Sequence, residues 1–193
     1  MHSLFSILSI LIFLAQTTTT CAQPLDQLPA PQSKSHIQPH PTESLSPRAC
    51  PNALANPSFE APTLAPWSAY YTGSWSSHGP VTGAAHAGSH FFAAQANSTN
   101  ASTITLSQSI KLPTSGVAKC EAWVRADGRA SFEVFVGGLS CGRRALVGTG
   151  RWVRVGGDRD VRVGAGVGQV VVVGVVGGSV RVGVDGLWVG SWC

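Results

Sequence analysis

From residue 50 onward, apolar side chains recur at every second position, and that period confines the chain to strands. Ile104, Leu106 and Ile110 alternate with Thr103, Thr105, Ser107 and Ser109, and Phe132, Val134 and Val136 alternate with Ser131, Glu133 and Phe135. The pattern returns at Cys120, Ala122 and Val124 against Glu121, Trp123 and Arg125, at Val153 and Val155, at Val161 and Val163, and at Val180, Val182 and Val184. Successive side chains of a strand point to opposite faces, so each run reads as half-buried. No stretch carries an apolar stripe at helical spacing. Gly-Gly pairs at Gly137-Gly138, Gly156-Gly157 and Gly177-Gly178 suit the turns between strands. Many short strands with dense Gly and Val indicate one all-β domain over residues 50–193, a sandwich or barrel. The run Gln169-Val170-Val171-Val172-Val173 reads as a central strand with both faces covered.

The segment ahead of this domain has a different character. An uncharged apolar run at 4–14 precedes Thr20-Cys21-Ala22, a small-x-small cleavage pattern, so residues 1–22 read as a signal peptide. The run is too short to span a bilayer, and no membrane partner is expected. Residues 23–49, rich in Pro, Gln, Ser and His, bury too little to fold and read as a disordered tether. A secreted, extracellular location follows as the expectation. In that oxidising setting Cys50, Cys120, Cys141 and Cys193 predict two disulfides, with three pairings open. One pairing ties the domain's ends through Cys50 and Cys193 and closes a hairpin-sized loop through Cys120 and Cys141. Asn97-Ser98-Thr99 and Asn100-Ala101-Ser102 are acceptors for N-glycosylation and place a surface loop before the Ile104 strand.

The net charge of +4 comes from Arg scattered among Val in the second half, as on the solvated face of strands. No basic cluster with interleaved aromatics occurs, which speaks against a nucleic-acid partner. Catalytic patterns also fail on context. Gly138-Leu139-Ser140-Cys141-Gly142 fits a nucleophile elbow, yet no helical pattern follows it and all six histidines precede Ser140. It reads instead as a Gly-rich turn that positions Cys141. His78, His86 and His90 match no zinc spacing. Among Glu60, Glu121, Asp127, Glu133, Asp158, Asp160 and Asp185 no pair stands out as the two carboxylates a glycosidase needs. The expectation is a protein that is not an enzyme.

Four landmarks remain: Asn56-Pro57-Ser58-Phe59-Glu60, Pro66-Trp67, Ala85-His86-Ala87-Gly88-Ser89, and the ending Val184-Asp185-Gly186-Leu187-Trp188-Val189. Together, in order and spacing across the whole domain, they resemble the CenC-like carbohydrate-binding modules of secreted fungal proteins. The resemblance implies a galactose-binding-like jelly-roll β-sandwich that binds a polysaccharide or cell-wall glycan without catalysis. It implies further that Trp67 packs in the core and that Glu60 and Asp185 lie near a structural calcium ion. The second of the family's two adjacent terminal acids is Gly186 here. Sugar rings stack on aromatic faces, and Tyr71, Trp75 and Trp123 are the candidate ligand-binding residues, Trp123 sharing the outward parity of Glu121 and Arg125. The alternative is a secreted structural or interaction protein with the same fold and no functional sugar site.

Overall fold

The alternation resolves into eleven strands, every pairing antiparallel. The computed structural model describes residues 51–112, 115–157 and 159–191. The leader at 1–22, the tether at 23–49 and any pairing of Cys50 with Cys193 lie outside the described residues. In chain order the strands are β1 (Ser68–Thr72), β2 (Trp75–Thr82), β3 (His90–Ala96), β4 (Ala101–Leu112), β5 (Gly116–Ala126), β6 (Arg129–Val136), β7 (Leu139–Val147), β8 (Val153–Gly156), β9 (Val161–Val163), β10 (Gly166–Gly177) and β11 (Arg181–Ser191).

They form two sheets. The first runs β1-β4-β10-β6-β7; the second runs β2-β3-β11-β5-β8, with β9 pairing β5 beside β8. Inward residues of β4, β5, β6 and β11 follow the predicted parity: Ile104, Leu106, Phe132 and Val134 from the first sheet meet Cys120, Ala122, Val124, Val182 and Val184 from the second, and Val170, Val172 and Phe92 join them in the core. Gly137 and Gly138, at φ 57° and 80°, form the two-residue turn that lets Val136 pair with Leu139. Both positions require the left-handed backbone that glycine adopts freely.

The segment before β1 closes one end of the sandwich. Asn52 accepts from Val189 N (3.0 Å) and donates to the Leu187 carbonyl (2.7 Å), so its amide serves as an extra rung beside β11. Gln108 does the same for both backbone groups of Ala55, at 2.8 Å each. Phe59, fully buried at φ 56°, then inserts between Trp67 and Phe92, with ring centroids 5.7 and 5.8 Å away. Trp67 is buried as expected, and its indole N–H donates to the Asn56 carbonyl at 3.0 Å. The 56–60 string is therefore a folding device: Asn56 orders the turn, Phe59 fills the core and Glu60 leaves it.

Three features depart from the sequence reading. Strands β1, β2, β3 and β7 were not evident. β2 is an edge strand with Gly79 and Pro80 and with most positions exposed, so it has no reason to alternate. Ser140, Cys141 and Gly142 lie in β7 rather than in a turn; a bulge between the Gly142 and Ser140 pairings directs Cys141 inward. The Val run is central in β10, yet only one of its faces is covered. Val170 and Val172 are buried, whereas Val171 and Val173 are half-buried on the outer face and Val175 is exposed there.

Cys120 and Cys141 form a disulfide with a Cα–Cα distance of 5.6 Å. It joins β5 to β7, so it bridges the two sheets instead of closing a single hairpin. With a sequence separation of 21, the cross-link should contribute about 3 kcal/mol through the unfolded chain. Cys141→Ala is expected to lower the unfolding free energy by that amount. Phe59→Ala should lower it by about 3–5 kcal/mol through a core cavity. Urea denaturation of both variants checks the ranking, and a smaller loss at Phe59 than at an exposed aromatic such as Tyr70 would contradict it.

Candidate functional site

Register assembles the outer face of the first sheet. Tyr70 pairs with Thr105, Thr105 with Val173, Val173 with Glu133 and Glu133 with Arg143, giving one continuous row across all five strands. At the strand spacing of a sheet that row spans roughly 19 Å. On one side of it run Ser68, Ser107, Val171, Phe135 and Ser140, and on the other Thr72, Thr103, Val175, Ser131 and Ala145. Short Ser, Thr and Val side chains thus occupy the middle. Tyr70, 69% exposed, stands at one end.

The other end is polar and organised. Ser140 Oγ donates to Glu133 Oε1 at 2.7 Å, and Arg143 Nε donates to Ser131 Oγ at 2.9 Å. Beyond them opens a cleft of about 260 Å3, lined by Glu133, Ser140, Arg143, Arg144, Arg154 and Arg159. An aromatic platform, a floor of Ser, Thr and Val side chains and an end bearing a carboxylate and a guanidinium provide the stacking surface and the orienting groups that sugar recognition uses. Tyr70 is not one of the candidate aromatics named from the sequence. The signal that singles it out is register, which no local pattern supplies.

The three aromatics expected to touch ligand occupy two other places. Tyr71 and Trp75 pack against the core edge with centroids 6.2 Å apart, and the His78 ring stacks on Tyr71 at 4.0 Å. Trp123 is on the outer face of the second sheet, as its parity required, but the His86 ring stacks on it at 3.8 Å and 12°. β2 and β5 are separated by β3 and β11, so Trp75 and Trp123 stand three strand spacings apart, roughly 14 Å across the sheet, and are offset further along the strands.

Glu60 and Asp185 share one task, which is holding residues 83–90 against the second sheet. Asp185, fully buried, accepts from His86 N (2.7 Å) and Ala87 N (2.9 Å) through Oδ2 and from Gly186 N (2.6 Å) through Oδ1. Glu60 Oε1 accepts from Ser89 N (2.8 Å) and His90 N (2.9 Å), while Ser89 Oγ and His90 Nδ1 each lie 3.0 Å from Oε2. Calcium takes 6–8 oxygen ligands. N–H and O–H donors converge on these carboxylates instead, so the two residues as arranged do not fit that ion. Asn97 and Asn100 lie in the 97–100 loop and are exposed, and the second sequon runs on into β4, where Ser102 is buried.

Ser140 has a carboxylate, not an imidazole, as its hydrogen-bond partner. His78, His86 and His90 are engaged with Tyr71, Trp123 and Glu60 respectively. Among the described residues the elbow-like string therefore lacks the imidazole that a Ser-His-Asp triad places at its serine.

No family model matches the chain, and no curated protein matches it in sequence. Solved structures do share its fold. TmCBM61 in complex with β-1,4-galactotriose is 20% identical, with a TM-score of 0.55 over 72% of this chain and 97% of that one. The CBM22-1 xylan-binding domain from Paenibacillus barcinonensis is 15% identical, with a TM-score of 0.52 over 74% and 95%. The K3 cleaved adhesin domain of Lys-gingipain from Porphyromonas gingivalis is 15% identical, at 0.50 over 69% and 97%. These likenesses establish the fold as the galactose-binding-like jelly-roll sandwich found in carbohydrate-binding modules.

The loop anchor predicts an acid response. Hydrogen bonds from His90 and Ser89 lower the Glu60 pKa from 4.5 to about 2. A carboxyl with a lower pKa in the folded state adds stability above its unfolded pKa, and that stability disappears as pH falls through the folded value. The melting temperature of wild type should thus exceed that of Glu60→Gln at pH 6, with the gap closing between about pH 4.5 and 2. Excess EDTA should leave both melting temperatures unchanged. A pH-independent gap, or an EDTA-induced drop, would contradict this account.

Proposed function

We propose that this is a secreted, non-catalytic carbohydrate-binding protein that holds a polysaccharide across the outer face of the first sheet. The observation that carries the reading is the row from Tyr70 to Glu133 and Arg143. An exposed aromatic ring and a fixed polar pair face solvent on one surface, joined by the Thr105 and Val173 side chains. In this arrangement a sugar ring stacks on Tyr70, and Glu133, Ser140 and Arg143 bond hydroxyls at the far end. Two structures with the same fold are described as bound to β-1,4-galactotriose and as xylan-binding, which supports a glycan ligand.

Secretion is supported by the leader-like pattern at 1–22 and by the Cys120–Cys141 bridge, a bond that persists in oxidising compartments. Exposure of Asn97 and Asn100 agrees with glycan attachment there. Among the described residues Ser140 has no imidazole partner, unlike the serine of a hydrolase triad, which supports a binding role over hydrolysis.

Retention on galactan, xylan, cellulose, chitin and β-glucan matrices tests the reading. Tyr70→Ala should weaken retention about tenfold, the scale of one lost stacking contact, with an unchanged melting temperature because the ring is exposed. Trp123→Ala should instead lower the melting temperature, since its ring packs beneath His86. No retention of wild type on any matrix would favour a structural or interaction protein with this fold and no sugar site.

A further inference from the structure

The outer face of the second sheet carries a second built groove, remote from the row that begins at Tyr70. Its floor is the cross-strand pair of minimal side chains Gly79 and Ala93; Gly183 continues that row beneath Arg125, which stands at its end. Val81 and Phe91 form one wall, and Ser77, Gln95 and Arg181 form the other. The resulting cleft measures about 340 Å3, and none of its lining residues is a carboxylate.

Arg125 is held in place before any ligand arrives. Its guanidinium lies 4.2 Å above the Phe91 ring and 4.8 Å from the Trp152 ring, and Nη1 donates to the Ala84 carbonyl at 3.2 Å. Trp152 Nε1 donates to the same carbonyl at 3.0 Å, and its ring meets Phe91 edge-on at 5.5 Å. Gly183 is required beneath this stack, because a Cβ there would lie 3.0 Å from Arg125 and 3.1 Å from Trp152. Arg181, exposed and diagonal to Arg125 across β11 and β5, is oriented by Gln95 Oε1 at 3.2 Å.

Two acids lie nearby, each accepting backbone N–H donors, and Asp127 lines the adjoining cleft with Arg125 and Arg181. Asp185 has its oxygens on the amides of residues 86, 87 and 186, and Asp127 Oδ1 accepts from Arg181 N at 2.7 Å. Burial and repulsion from Arg181 lower the Arg125 pKa, with the Asp185 charge opposing them. A bound anion would relieve that repulsion. Two guanidinium forks beside a flat floor match a planar carboxylate or a sulfate ester carried on a ring.

We propose that this groove binds an acidic polysaccharide, with Arg125 and Arg181 holding the carboxylate or sulfate of one sugar and the open floor at Gly79 and Ala93 receiving its ring. The site is separate from the face assigned above, so the domain presents two glycan surfaces of different charge preference.

Matched polymers isolate the charge: polygalacturonate against its methyl ester, and dextran sulfate against dextran, each by isothermal titration calorimetry with the purified protein. Wild type should prefer a charged member at least tenfold, and which pair shows it identifies carboxylate or sulfate. Arg181→Gln and Arg125→Lys should each reduce that affinity about tenfold, the lysine keeping the charge but losing the fork and the stack. Arg162→Gln, an exposed control on β9, should change it less than twofold, and Tyr70→Ala should leave it intact. Arg181 is exposed, so its variant keeps the test valid if Arg125→Lys unfolds. Equal losses in Arg181→Gln and Arg162→Gln would show diffuse charge attraction and overturn the proposal. Absence of polyanion binding, or equal binding of the neutral partners, would overturn it as well. Loss of neutral-glycan binding in Tyr70→Ala bears only on the first face.

Discussion

Each sheet buries one face against the other, and the rest of the structure depends on that constraint. Because strand side chains alternate, committing Ile104, Leu106, Phe132 and Val134 to the core hands Thr105, Ser107, Glu133 and Phe135 to the outside. A slip of one residue in any strand would exchange these sets. The Cys120–Cys141 bridge, placed between β5 and β7, ties the two sheets in the one register that satisfies both.

The outer faces are then free to differ, and they do. The first sheet keeps an open surface of short polar side chains bounded by Tyr70 and Arg143. The second is partly covered by residues 83–90, held by Asp185 and Glu60. A buried carboxylate is tolerable only when hydrogen-bonded, and amide donors provide that for Asp185. This anchoring brings His86 over Trp123 and the Ala84 carbonyl to Trp152 and Arg125. Asp185, on the central strand β11, and Glu60, ahead of β1, thereby help to order an arginine on the neighbouring strand β5.

Strands with one buried face were legible from their alternation, as in β4, β5, β6 and β11. β2 was not, because an edge strand with Gly79, Pro80 and few buried positions has no alternating pattern to show. Trp67 was identified as core, and Trp123 as outward-facing. That an imidazole caps Trp123 was not legible, since His86 reaches it only through the Asp185 anchor. Tyr70 and Tyr71 differ by one position, so they face opposite ways; which one meets solvent depends on how β1 pairs with β4.

The sequence by itself determined an all-β domain, the parity of most core strands, and a set of cysteines suited to an oxidising setting. These are properties of short windows, where side-chain period and turn chemistry act locally. Only the tertiary structure decided that residues 70, 105, 173, 133 and 143 form one row and that Gly79, Ala93 and Gly183 form another. Strand order and register follow from the packing free energy of the whole sandwich. Residues distant in the chain become neighbours through that sum, and no single window contains it.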